Sequence, residues 1–244
     1  MWARSRSVEL YLGQTLIGCR GLDAAGDRWA DVADIDEGLA RLGEWMSTSP
    51  APIRARVWLG STLSRPFILD ANCGARNTAE ARELAVAVAS DFAGQEGGSK
   101  VWLAPWRVGR PTLAVAISKS LPSAVEAAAG GRGTFRVASV RPWWNQVLDA
   151  VIERSREQAR SIGWTLVESD GFVHGRIDSG VVSDAAFEAR KVHDPDSTQL
   201  RRRVAVGWLE VEDVEHFAFT PGAAPSPVFA IGAATLIRIN EAAA

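Results

Sequence analysis

Cysteine, histidine and lysine are scarce in this chain of 244 residues, which holds 2 Cys and 3 His and has lysine only at Lys100, Lys119 and Lys191. Cys19 and Cys73 cannot build a disulfide framework, and no Cys/His spacing resembles a zinc site, so both read as free thiols. A lysine-based mechanism has few candidates. His193 has the most suggestive company, in His193-Asp194-Pro195-Asp196-Ser197, but Asp196 and Ser197 are explained as caps of a following helix. His174 and His216 fall in strand patterns. No cluster of nucleophile, base and orienting acid emerges.

A long apolar run is also missing. The longest uncharged stretch, 217–237, is broken by Pro221, Pro225 and Pro227, and the start MWARSRSVEL lacks the apolar segment of a signal peptide, so a cytoplasmic chain is expected. Nor is there an excess of charge: a net charge of -2 and a pI near 6.0 offer no global attraction to nucleic acid or anionic lipid. No GxxxxGKS loop occurs, and Gly130-Gly131-Arg132-Gly133 reads as a helix stop. What remains, 47% hydrophobic and 23% charged, suffices for a globular α/β protein of two lobes.

Strand signals dominate the beginning, at 8–12, 16–20 and 28–33, separated by glycine turns. Asp34 with Glu37 is a capping box for a helix with the stripe Ile35, Leu39, Leu42 and Met46. Alternation over 53–59 predicts a strand with Arg54, Arg56 and Trp58 on its polar face, and 66–69 is expected to extend the same sheet. The middle reads as an inserted α/β subdomain. Asn77 and Glu80 cap a helix predicted to bury Leu84, Val88 and Phe92, strands follow at 101–106 and 112–118, and the apolar LAVAI of the second fits a strand buried on both faces. A short alanine-rich helix and a strand at 135–140 lead to the longest helix, with Trp144, Val147, Leu148, Val151 and Ile152 on one side.

The plan then recurs: strands at 164–168, 172–177 and 181–192 joined by Asp170-Gly171 and Ser179-Gly180 turns, then a helix with Leu200, Val204 and Trp208. Residues 7–49 and 163–208 are thus both three-strand meanders followed by a capped helix. Most of the ten tryptophans fall on core stripes, but Trp58 shares its face with Arg54 and Arg56, a patch suited to a partner or to cation–π decoration.

The duplicated plan with its insert resembles the actin, sugar-kinase and Hsp70 superfamily, and within it the cytoplasmic actin-like subunits of type IV pilus and type II secretion platforms, the PilM and GspL type. The resembling segments are RVWLGSTLSRPFIL (56–69), residues 113–142 and 163–192, and the tail FAIGAATLIR (229–238). The resemblance implies a mixed α+β fold of duplicated RNase H-like lobes: a first lobe over 1–70, an inserted subdomain over 71–142, and a linking helix with the second lobe over 143–244. It departs where chemistry is expected. The D-x-G phosphate signature becomes Tyr11-Leu12-Gly13, and the second-lobe turn reads Glu168-Ser169-Asp170-Gly171.

Two functions stay open. One is a non-enzymatic cytoplasmic scaffold without cofactor, recruited peripherally to the inner membrane, with Arg54, Trp58 and Arg65 facing partner subunits or the tail of a membrane protein. The other is an ATPase or phosphotransferase, with ATP and magnesium held by Gly13, Glu168, Asp170, Gly171 and Gly232.

Overall fold

The computed structural model describes residues 5–22, 26–91, 98–130, 135–168, 171–189, 214–218 and 236–238. The first meander is β1 (Arg6–Leu12), β2 (Leu16–Arg20) and β3 (Arg28–Asp31), followed by α1 (Ile35–Ser47) and β4 (Ile53–Leu59). Asp34 caps α1 as expected: its Oδ1 accepts the Glu37 N–H at 2.9 Å, and Glu37 Oε2 accepts the Ala33 N–H at 2.8 Å. Later in the chain come α3 (Leu121–Ala128) and β8 (Phe135–Pro142). The first sheet has the order β3-β2-β1-β4-β8, with β1, β4 and β8 parallel. Val8, Leu10, Leu12, Ile17, Val57 and Leu59 project from one face into the core shared with Leu42 and Met46 of α1 and Leu121 and Val125 of α3.

Two expectations about this sheet need correcting. Residues 66–69 lie in β5 (Ser64–Leu69), which leaves the first sheet and pairs with β7 (Thr112–Ser118) in a separate three-stranded sheet, β5-β7-β6, completed by β6 (Ser99–Leu103). Pro66 has no N–H to give a central ladder, and the outer place in the smaller sheet accommodates it. Conversely β8, expected within 71–142 as part of the insert, closes the first sheet beside β4. The insert therefore comprises β5, α2 (Thr78–Asp91), β6 and β7.

The helix α2 turns a different face inward than its large side chains suggest. Ala81, Ala85 and Ala89 are buried, whereas Leu84 and Val88 are exposed, each at 36%. Phe92 lies outside the described residues. Small side chains let the helix lie close to its sheet, where Ala85 and Ala89 meet Phe67, Ala114 and Ala116. The opposite face of β7 sends Val115 and Ile117 into the main core, so this strand is buried on both sides as its apolar run predicts.

From α4 (Trp144–Gln158), Trp144, Leu148 and Val151 are buried in the main core, and Trp144 Nε1 donates to the Ser64 carbonyl at 2.9 Å. The second meander follows as β9 (Ser161–Val167), β10 (Gly171–Asp178) and β11 (Val181–Ala189). Its Ser179-Gly180 turn has φ of 48° and 81°, the pair of positive values a tight two-residue hairpin requires. The second sheet runs β11-β10-β9-β12-β13, with β12 (Val214–Ala218) parallel to β9, and β13 (Leu236–Arg238) antiparallel to β12. The expected helix with Leu200, Val204 and Trp208, the caps Asp196 and Ser197, and His193 lie outside the described residues. No helix among the described residues is long and apolar enough to cross a membrane.

Candidate functional site

The two meanders meet where their first turns face each other. In the first lobe, Tyr11-Leu12-Gly13 ends β1, and Gly13 N–H donates to the Leu16 carbonyl at 2.9 Å to close the turn. Beside it, Gly60 leaves β4 and donates its N–H to the Leu12 carbonyl at 2.9 Å. In the second lobe, Glu168 follows β9 and its N–H donates to the Gly171 carbonyl at 2.9 Å. Hairpin pairing and the parallel β1–β4 contact thus bring three backbone turns to one point.

Side chains fill that point. Tyr11 and Glu168 are 0% and 1% exposed. Glu168 Oε2 accepts the Ser61 N–H at 2.7 Å and the Ser61 hydroxyl at 2.6 Å, a paired contact across 107 residues of sequence that joins the lobes. Charge-assisted bonds of this kind are what a buried carboxylate requires. Gly60 is the hinge pin of the arrangement. A Cβ placed there lies 2.8 Å from the Tyr11 hydroxyl oxygen, 3.2 Å from Glu168 Oε2 and 3.2 Å from Gly13 Cα, so only glycine lets these groups converge.

The tyrosine ring is held by aromatic neighbours. Its centroid is 5.9 Å from that of Trp29 and 6.3 Å from that of Trp143, the latter edge-on. Trp29 lies over Gly18, where an added Cβ falls 2.4 Å from the indole. Gly18→Ala is therefore expected to push Trp29 off Tyr11 at a cost of about 1–3 kcal/mol. The checks are urea unfolding and the near-ultraviolet dichroism of the aromatic cluster; an unchanged spectrum with unchanged stability contradicts the packing.

Of the residues singled out from the sequence, Gly13, Glu168 and Gly171 come together here, while Asp170 and Gly232 lie outside the described residues. Arg54 and Trp58 share one face of β4, with Arg54 exposed and Trp58 half-buried. Arg65 does not join them. It sits on β5 with its guanidinium carbon 5.5 Å from the centroid of the Phe187 ring, between the insert and the second lobe. The sequence reading missed Gly60 and Ser61, although the Gly-Ser pair directly after an alternating strand was the available signal. His174 stands half-buried within β10. Among the described residues no group of three or more His, Cys, Asp or Glu is placed to hold a metal ion.

A separate concavity of about 460 Å³ opens between the β6–β7 connection, α4 and the β10–β11 turn, lined among others by Arg107, Arg110, Asn145, Asp149, Ile152 and Val182. Burial raises the pKa of the Asp149 carboxyl above its ordinary value, an effect that Arg141 partly offsets.

No family model and no curated protein matches this chain. Solved structures do. A protein of actin-like ATPase fold and unknown function from Bacteroides thetaiotaomicron superposes with a TM-score of 0.52 at 9% identity, over 93% of this chain and 86% of that one. The cytoplasmic domain of EpsL, an inner-membrane component of the type II secretion system of Vibrio cholerae, gives 0.51 at 13% identity, over 89% and 84%. A chain of the PilM-PilN type IV pilus biogenesis complex gives 0.53 at 11%, over 84% and 66%. The chain accordingly has a mixed α+β, actin-like fold, as the resemblance in its sequence implied.

Proposed function

We propose that this chain is a non-enzymatic scaffold of a bacterial envelope assembly machine of the type II secretion or type IV pilus kind, cytoplasmic and held at the inner membrane by its partners. One observation carries the reading: at the meeting point of the lobes Tyr11 stands in place of a short acid, and Glu168 is committed to Ser61. Magnesium with a triphosphate needs several oxygen ligands around an open space. The described residues do not fit that demand. They offer one carboxylate, with one oxygen bonded to two Ser61 donors, and an aromatic ring where phosphate oxygens need room. Support for the machine comes from the actin-like fold shared with the EpsL cytoplasmic domain and PilM, the second of which is part of a complex with PilN. Partners are then assembly-platform subunits or a membrane-protein tail, with Arg54 and Trp58 as contact residues and Arg65 as an internal brace.

A thermal-shift titration with ATP and magnesium tests this. Ligand bound to the native state raises apparent stability by mass action, about 2.7 kcal/mol at a hundredfold excess over Kd. The expected result is no change in Tm at millimolar nucleotide, together with co-purification of platform subunits at native expression that weakens in Trp58→Ala. A clear shift in the wild type that disappears in Asp170→Ala overturns the scaffold in favour of the ATPase or phosphotransferase.

A further inference from the structure

We propose that the face of the first sheet opposite α1 and α3 is the docking surface for an acidic helix of a partner protein, a deepening of the scaffold reading that rests on it. Strand register defines this face. Ser7, Arg54 and Arg136 are direct neighbours across β1, β4 and β8, and Glu9 pairs with Arg56. Trp58 lies two residues beyond Arg56 and opposite Tyr11. Arg54, Arg56 and Arg136 are all exposed, and none of them makes an ion pair among the described residues.

Three physical features point to the occupant. Like charges placed directly opposite one another on neighbouring strands destabilise a sheet, and Arg54 against Arg136 is such a pair. The acids in register on this face are few: Glu9 stands in register with both Arg56 and Arg20, and Asp31 stands at the outer edge on β3. Arg20 is itself 3.5 Å from Asp27. Parallel strands are ordinarily covered on both faces, and among the described residues the helices α1 and α3 pack on one.

The chain is slightly acidic overall, so this concentration of arginine is local, and guanidinium forks suit carboxylates. Spacing fits a helix. Arg54 and Arg56 lie about 6–7 Å apart along the strand, close to the roughly 6 Å between carboxylates at i and i+4. Half-buried Trp58 adds an apolar shelf beside them. An anionic membrane fits less well, because the exposed large hydrophobic residues among those described, Leu84, Val86, Val88, Val108 and Val181, all lie on other surfaces.

The test uses the whole chain and a fluorescein-labelled helical peptide with glutamates at i, i+4 and i+8, followed by anisotropy at physiological salt. Comparison probes are the same peptide with lysines, phosphatidylglycerol vesicles, and a DNA duplex. The expected result is selective binding of the glutamate peptide, weakened at least about tenfold in the double variant Arg54→Glu/Arg136→Glu and changed less than about twofold in Arg107→Glu/Arg110→Glu, since charge reversal at a true contact acts mainly on the complex. Equal losses in both variants, preference for vesicles or DNA, or no binding of the glutamate peptide overturns the proposal. So does a large fall in the unfolding midpoint of Arg54→Glu/Arg136→Glu, which marks a segment of this same chain as the cover. Neither arginine touches the Tyr11–Glu168 site, so the ATP titration reports on the scaffold reading independently of this outcome.

Discussion

Glu168→Ala is expected to lower unfolding free energy by about 3 kcal/mol, because it strips two charge-assisted donors of their acceptor and leaves the Ser61 N–H buried without one. Ser61→Ala removes the hydroxyl donor while the backbone donor stays, and about 1 kcal/mol is expected there. Glu168→Gln keeps an acceptor oxygen without its charge and falls between the two. A double-mutant cycle isolates the interlobe pair, whose coupling belongs in the range of about 1–3 kcal/mol for buried hydrogen-bonded neighbours. Urea unfolding with a common m-value is the measurement. If Glu168→Ala leaves the midpoint unmoved and instead abolishes a nucleotide-dependent activity, the carboxylate is a ligand and the structural role assigned to it is wrong.

Tyr11→Asp places an aspartate where the sequence signature of a phosphate turn has one, and the expected result is loss of fold rather than gain of chemistry. The substitution removes a fully buried ring that packs against Trp29 and Trp143, and it exposes a charge to that apolar cavity. Truncating a buried aromatic ring alone costs about 3–5 kcal/mol, and an unpaired carboxylate adds to it. Tyr11→Phe retains the ring and is expected to cost about 1 kcal/mol. The discriminating readout is Tm with and without ATP and magnesium. A stable Tyr11→Asp protein whose Tm rises with nucleotide shows that the surrounding turns still form a usable phosphate site.

Local periodicity made the fold legible to a considerable extent. The capping box at Asp34 and Glu37, the alternation over β4, the two-sided burial of β7 and the Ser179-Gly180 hairpin all depend on residues close in sequence. The duplicated meander followed from the same signals, and the actin-like architecture from the family resemblance that the duplication carries. Errors arose where long-range contacts decide. Pairing of β5 with β7 rather than with the first sheet, and closure of that sheet by β8, depend on partners tens of residues away. On α2 the large residues looked like the core stripe, yet close approach to the sheet selected Ala81, Ala85 and Ala89.

The candidate site was half legible. Tyr11 was conspicuous because it replaced an acid, and Glu168 because it preserved one. That the two occupy a single buried point with Ser61 could not be read, since no local pattern links residue 61 to residue 168. Arg65 was grouped with Arg54 and Trp58 as a contact residue, and the change of sheet between β4 and β5 separates them.

The insert does more than decorate the first lobe. It begins with β5 at Ser64, just beyond the Ser61 turn, and its strands β5 and β7 also lie against β11 of the second lobe, with Arg65 over Phe187 at that seam. Two bodies joined only at a hinge swing like a clamshell; a third body resting on both makes a tripod. Relative rotation of the halves must then break the seam as well as the Ser61–Glu168 latch, so the insert opposes a clamshell motion that a single hinge would leave free.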